Sequence, residues 1–215
     1  MWATWVIEQA RRLETATGVT LAGHLFQTLG YEPATGHIVA GSHLALDPAD
    51  QMRAVLVATL RAAGLTGAAA ERAVDVAWYT PDPVATARPL ADLPMLFGAL
   101  RERGIRIAVA TSDDHAPAAA TLAGLGVAAL VDAIVGADDG LPIKPAPDAV
   151  LAICRQLGVD PRRGAMVGDS VDDMKMGRAA GAGLVVGVTS GVYPAELLAP
   201  HADVVLPSIA GLIEY

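Results

Sequence analysis

The spacing of apolar positions changes character near the middle of the chain. In residues 2–14 apolar side chains recur three and four apart, with Glu8, Arg11, Arg12 and Glu14 between them, which predicts an amphipathic helix. The same period predicts a short helix over 21–29. A third helix starts at Asp47-Pro48, runs to Ala63 and stops at Gly64, and a fourth covers about 67–79 until Pro81-Asp82-Pro83 ends it. Only His37-Ile38-Val39 reads as a possible strand in this half. From Pro89 the pattern alternates. Helices are predicted over 92–103, 116–124, 147–157 and 171–180, and short Val/Ile/Ala-rich runs stand at 105–110, 133–135, 165–167, 184–188 and 203–206. Such alternation implies a parallel sheet with helices on both faces. The expected architecture is an all-helical unit over 1–84 and an α/β unit over 85–215, with Pro81 to Pro89 as the hinge.

Ligands in such folds bind beyond the carboxyl ends of the strands, and three strand ends here carry chemistry. Gly168-Asp169-Ser170-Val171-Asp172-Asp173 puts Asp169 at a strand tip and Asp173 in the first turn of the next helix. Oxygen ligands clustered there suit a small hard cation such as Mg²⁺, held by one or two carboxylates plus water and phosphate. The same two acids also suit the capping of a helix N-terminus. Upstream, Ile105-Arg106-Ile107-Ala108-Val109-Ala110-Thr111-Ser112 ends in small hydroxyl residues before a helix, an arrangement in which N–H groups and the helix dipole attract an anion. Leu141-Pro142-Ile143-Lys144-Pro145-Ala146-Pro147-Asp148 places Lys144 before a proline-stiffened turn. Taken alone, Lys144 reads as a solvated charge; in chain order with a hydroxyl and a carboxylate pair, it completes a phosphate and metal site.

These motifs resemble those of the haloacid dehalogenase-like hydrolase superfamily, and within it phosphatases of the phosphoglycolate phosphatase type with a helical cap. Thr111 matches the family's second motif, Lys144 the third, and Gly168 to Asp173 the fourth; the likeness runs from about Pro89 to Val192. It implies a Rossmann-like core. It also implies that Thr111 and Ser112 bind phosphate oxygens, that Lys144 binds the same phosphate and offsets the crowded acids, and that Asp169 and Asp173 hold Mg²⁺. Thr111 and Lys144 are thereby the catalytic candidates. The family's first motif, Asp-x-Asp-x-Thr at the end of the first core strand, supplies the nucleophile and the general acid/base. No two aspartates spaced by two occur anywhere in these 215 residues, and residues 1–13 read as a helix. The first core strand is therefore expected to be missing, with its motif encoded upstream of Met1.

Composition narrows the function classes. A net charge of −8 with no compensating basic cluster argues against nucleic acid or an anionic membrane as partner. No apolar run reaches the ~20 residues of a membrane helix, and the first residues lack a basic-then-apolar leader. The single cysteine, Cys154, excludes an intrachain disulfide and fits a cytoplasmic setting. Asp113, Asp114, His115 and Asp172 read as solvated loop positions. Trp2, Trp5 and Trp78 are expected to pack between helices, and His24, His37 and His43 to lie at surface or loop positions. Three readings follow for a monomer or homodimer. The leading one is a Mg²⁺-dependent hydrolase of a small phosphate monoester, acting through an aspartyl-phosphate. The others are a non-catalytic binding or interaction protein of the same fold, and a phosphomutase.

Overall fold

A computed structural model describes residues 2–214, and the chain divides into two compact units, Met1–Thr86 and Ala87–Tyr215. In the first unit α1 (Trp2–Thr17), α2 (Ala22–Leu29), α4 (Ala49–Ala62) and α5 (Gly67–Ala77) supply the main helices, with one-turn helices α3 (His43–Leu46) and α6 (Pro83–Thr86). Trp5, Val6, Gln9, Ala10 and Leu13 form the buried stripe of α1, following the 3.6-residue period that the sequence shows. They pack with Leu25, Leu29, Leu56, Leu60 and Val74 into one apolar core. Trp5 meets Trp2 and Trp78 edge-on and stacks with Tyr79, so the tryptophans do pack among the helices. The unit is not all helix: β1 (Tyr31–Glu32) and β2 (His37–Ile38) form a two-pair antiparallel ladder. Its turn, Pro33 to Gly36, closes with Gly36 at a φ of 71°, a left-handed conformation that costs glycine little.

The second unit alternates as the sequence predicts. Its elements are α7 (Leu93–Glu102), β3 (Ala108–Ala110), α8 (His115–Gly124), β4 (Ala133–Val135), α9 (Asp148–Leu157), β5 (Ala165–Gly168), α10 (Val171–Ala180), β6 (Leu184–Val188), α11 (Ala195–Leu198) and β7 (Val204–Leu206). Short 3₁₀ turns intervene at 128–130, 161–163 and 209–213. The strand expected over 105–110 shrinks to Ala108–Ala110 because its partner β4 offers only three residues to pair with. The one-turn helices α3, α6 and α11 escaped the sequence because four residues are too few to display a period.

The strands do not form one continuous sheet. β3 pairs in parallel with β4 alone, while β5, β6 and β7 form a separate parallel set in that order. Among the described residues, β3 and β5 thus each have a second edge without a partner strand. Burial follows the same division. Residues 185–188 of β6, flanked on both sides, are buried, whereas no residue of β3 or β5 is. Val109, Met166 and Val167 are accordingly only half-buried at these edges.

One polar residue interrupts the first unit's core. Gln9 is 1 % exposed, and neither side-chain amide atom has a hydrogen-bond partner among the described residues. A buried unsatisfied polar group costs about 1–3 kcal/mol. Gln9→Met, which keeps the length and removes the amide, should therefore raise the unfolding free energy in urea by about 1–3 kcal/mol. A loss of stability would show that the amide is satisfied in solution.

Candidate active site

All five candidate residues lie in the second unit, each at the carboxyl end of a strand or just beyond it. Thr111 and Ser112 follow β3, Lys144 lies in the loop between β4 and α9, Asp169 follows β5, and Asp173 sits in the first turn of α10. Thr111 stays in register with the sheet, its N–H donating to the Val135 carbonyl at 3.0 Å. Its Oγ1 accepts the Asp113 N–H at 3.0 Å, which leaves the hydroxyl proton to donate elsewhere. Thr111, Ser112, Gly136, Leu141, Ile143 and Lys144 line one small hollow. A hydroxyl residue, backbone N–H groups and a lysine around one hollow are the kind of groups that attract an anion.

The second half of the site is built on α10. Ser170 caps this helix: its Oγ accepts the Asp173 N–H at 3.1 Å, and Asp173 Oδ2 in return takes the Ser170 N–H at 3.1 Å and hydroxyl at 2.7 Å. This reciprocal box satisfies two otherwise unpaired donors and fixes the Asp173 rotamer. Asp173 Oδ1 then faces Lys144 Nζ at 2.7 Å. Asp173 Oδ2 serves the helix cap, while Oδ1, buried, makes no hydrogen bond among the described residues beyond its ion pair with Lys144.

Asp169 is differently placed. It is half-buried, and burial together with the Asp173 charge pushes its carboxyl above the usual range, while Lys144 and the Val192 N–H pull the other way. Gly191 lies so close that a Cβ there would overlap Asp169 Oδ2. A half-buried carboxylate beside a second acid is a place where a hard divalent cation would offset negative charge. Among the described residues no group of three or more His, Cys, Asp and Glu is arranged around a metal. The donors present fit the partial set that Mg²⁺ accepts, one or two carboxylates completed by water and phosphate.

The structure brings Thr111, Ser112 and Lys144 together around one hollow and Lys144 to Asp173. It does not pair the strands that carry Thr111 and Asp169. It also revises the reading of Asp113, Asp114, His115 and Asp172 as solvated loop positions: all four are half-buried, His115 opens α8 and Asp172 lies in α10, and at Asp113 burial pushes the carboxyl up while the Lys144 charge opposes this. Gly191 and Val192 were missed as well, although they follow β6 at the same kind of strand end as the other candidates. Cys154 is half-buried on α9 with its thiol pushed up by burial, which disfavours a thiolate nucleophile. No helix among the described residues is long and apolar enough to cross a membrane.

Comparison with known proteins places this geometry. A phosphoglycolate phosphatase of Rhodospirillum rubrum is 41 % identical over 111 residues, 52 % of this chain and 46 % of that protein. The phosphoglycolate phosphatase of Escherichia coli K12 is 32 % identical over 118 residues, 54 % and 46 %. The matched segment thus spans about half the length of these curated relatives. Among solved structures, a predicted phosphoglycolate phosphatase from Haemophilus somnus superposes with a TM-score of 0.69 at 18 % identity, covering 97 % of this chain and 90 % of its own. A β-phosphoglucomutase from Clostridium difficile gives 0.67 at 17 %, with coverages of 98 % and 86 %. At such identities these two likenesses speak for the fold alone. The family model for haloacid dehalogenase-like hydrolases matches residues 5–181, and the chain belongs to that family.

Proposed function

We propose that this chain forms most of a Mg²⁺-dependent phosphatase that hydrolyses a small-molecule phosphate monoester. The observation that carries the reading is Lys144, which lines the Thr111–Ser112 hollow and also pairs with Asp173 beside Asp169. One cation thereby serves both the phosphate-binding and the metal-binding half. In this reading the Thr111 hydroxyl and the Ser112 N–H hold phosphate oxygens, and Lys144 neutralises the dianion. Such groups count most where charge spreads over the transferring phosphoryl. Asp169, with Asp173 beside it, would hold Mg²⁺, which when bound would supply positive charge next to the phosphate. Asp173 keeps Lys144 and the start of α10 in place.

The nucleophile is not among these residues, since the sequence holds no Asp-x-Asp. The open edges of β3 and β5 support its delivery on a strand between them, encoded upstream of Met1. That strand would carry a first aspartate to form the aspartyl-phosphate and a second to act first as acid and then as base. A strand of ~5–6 residues and a short loop need roughly 15–25 residues.

The test is to express the protein from an upstream in-frame start and assay p-nitrophenyl phosphate with Mg²⁺. The extended protein should turn over and the 215-residue chain should not. In the extended protein Lys144→Ala should cut turnover about 100- to 1000-fold, by analogy with the loss of an oxyanion donor. Lys175→Ala, which removes an exposed lysine 4.0 Å from Asp172, should do little. Equal effects of the two substitutions would sink the role given to Lys144. An in-frame stop within roughly 15 codons upstream, too few for a strand and loop, would instead favour a non-catalytic binding protein.

A second outcome concerns the metal and needs no turnover. With its carboxyl raised, Asp169 contributes to stability below the ordinary aspartate value of 3.8, and that contribution is lost as pH rises through the raised value. At neutral pH its ionisation therefore costs folding free energy. Asp169→Asn should make the metal-free 215-residue chain more resistant to urea at pH 7. Added Mg²⁺ should stabilise the wild type and leave the variant unchanged, because a ligand that binds only the folded state stabilises it. Equal Mg²⁺ responses would remove Asp169 from the metal site.

A further inference from the structure

A hydrogen-bond network that starts at Thr111 ties the turn after β3 to the loop after β4. The Asp113 N–H donates to Thr111 Oγ1 at 3.0 Å, and the Asp113 carbonyl accepts the Ala137 N–H at 3.0 Å. Beyond Ala137 the loop curls back on itself. Asp139 Oδ2 accepts the Gly136 N–H at 2.8 Å and meets His115 Nδ1 at 2.9 Å. Asp138 Oδ1 accepts the His115 N–H at 2.7 Å. A Cβ on Gly136 would overlap the backbone N and Cα of His115, so only glycine lets the loop approach this closely.

His115 stands where the helix by itself does not favour a cation. It opens α8, and the dipole at a helix N-terminus disfavours a cation there. Asp138 and Asp139 offset this from the loop side, and Asp114 is the acid that precedes His115 in the chain. A charge-assisted hydrogen bond is roughly twice as strong as a neutral one, which makes an imidazolium a better clasp than an imidazole.

We propose that His115 is a positioning residue for the phosphate pocket: clasped by Asp139 and Asp138, it fixes the loop that leads to Lys144 against the turn that carries Thr111 and Ser112. The assignment of a phosphate pocket rests on the function proposed above; the clasp itself rests on the network. The Asp139 hydrogen bond and charge hold the imidazole above its ordinary value of 6.5. The clasp is then fully formed below that value and weakens as pH rises through the raised one.

The test uses the ¹⁵N-labelled 215-residue chain in an NMR titration, with sulfate as a probe whose charge is constant over the range. The His115 ring and the amides of Thr111, Ser112 and Ala137 should titrate with one midpoint above 6.5. Asp139→Asn should move all four to lower pH together, a concerted shift that a merely structural contact would not give. Sulfate affinity should fall severalfold above the midpoint, and in Asp139→Asn the fall should begin at lower pH. Thr111 and Ser112 amides that ignore the His115 titration, or a midpoint unmoved in Asp139→Asn, would overturn the proposal. The common midpoint is read without any ligand. A protein that shows it yet binds no sulfate would keep the clasp and count against the phosphate site.

Discussion

The second unit depends on the ion pair between Lys144 and Asp173, whose side chains are 21 % and 5 % exposed. It joins two sets of strands that share no backbone ladder, the loop after β4 on one side and the helix after β5 on the other. A buried pair of this kind adds little net stability, yet removing one partner costs about 3–5 kcal/mol because the other charge stays buried. Its value is positional. Asp173 is itself fixed by the Ser170 box, so Lys144 docks against a rigid acceptor. From there its charge opposes the effect of burial on both Asp113 and Asp169.

The open edges of β3 and β5 give this pair its significance. Parallel strands are ordinarily covered on both faces. Here β3 and β5 are half-buried, and each ends at a candidate residue, Thr111 and Asp169. β3 is followed by the hydroxyl residues Thr111 and Ser112 and β5 by Asp169, and Lys144, from the loop after β4, meets Asp173 at the start of α10. Membership of a family of hydrolases fits this plan.

Much of this plan was legible from the sequence for simple physical reasons. Helical and strand periods differ, so the passage from the first unit to the second could be read from spacing alone. The candidates Thr111, Ser112, Lys144, Asp169 and Asp173 stand next to elements whose type is set locally, and strand ends are where α/β folds bind ligands. Even the capping use of Asp173 was visible, as an acid three residues after Ser170. Short elements carried too little pattern: the two-pair ladder of Tyr31–Glu32 with His37–Ile38 depends on a turn rather than on a period.

Tertiary structure alone decided the rest, because burial and charge pairing depend on groups far apart in sequence. Asp113 looks like a loop acid until the fold buries it beside Lys144. His115 and Asp139 lie 24 residues apart, and nothing local announces that they meet. Gly136 and Gly191 read as ordinary loop glycines until His115 and Asp169 are seen to occupy the space a side chain would need. The sequence by itself determined which elements form and which strand ends carry chemistry, since both follow from local period and residue type. Which acids share a charge, which helix end is clasped, and which strand edges stay open were settled only when the chain packed, because each depends on distances between segments that no local pattern encodes.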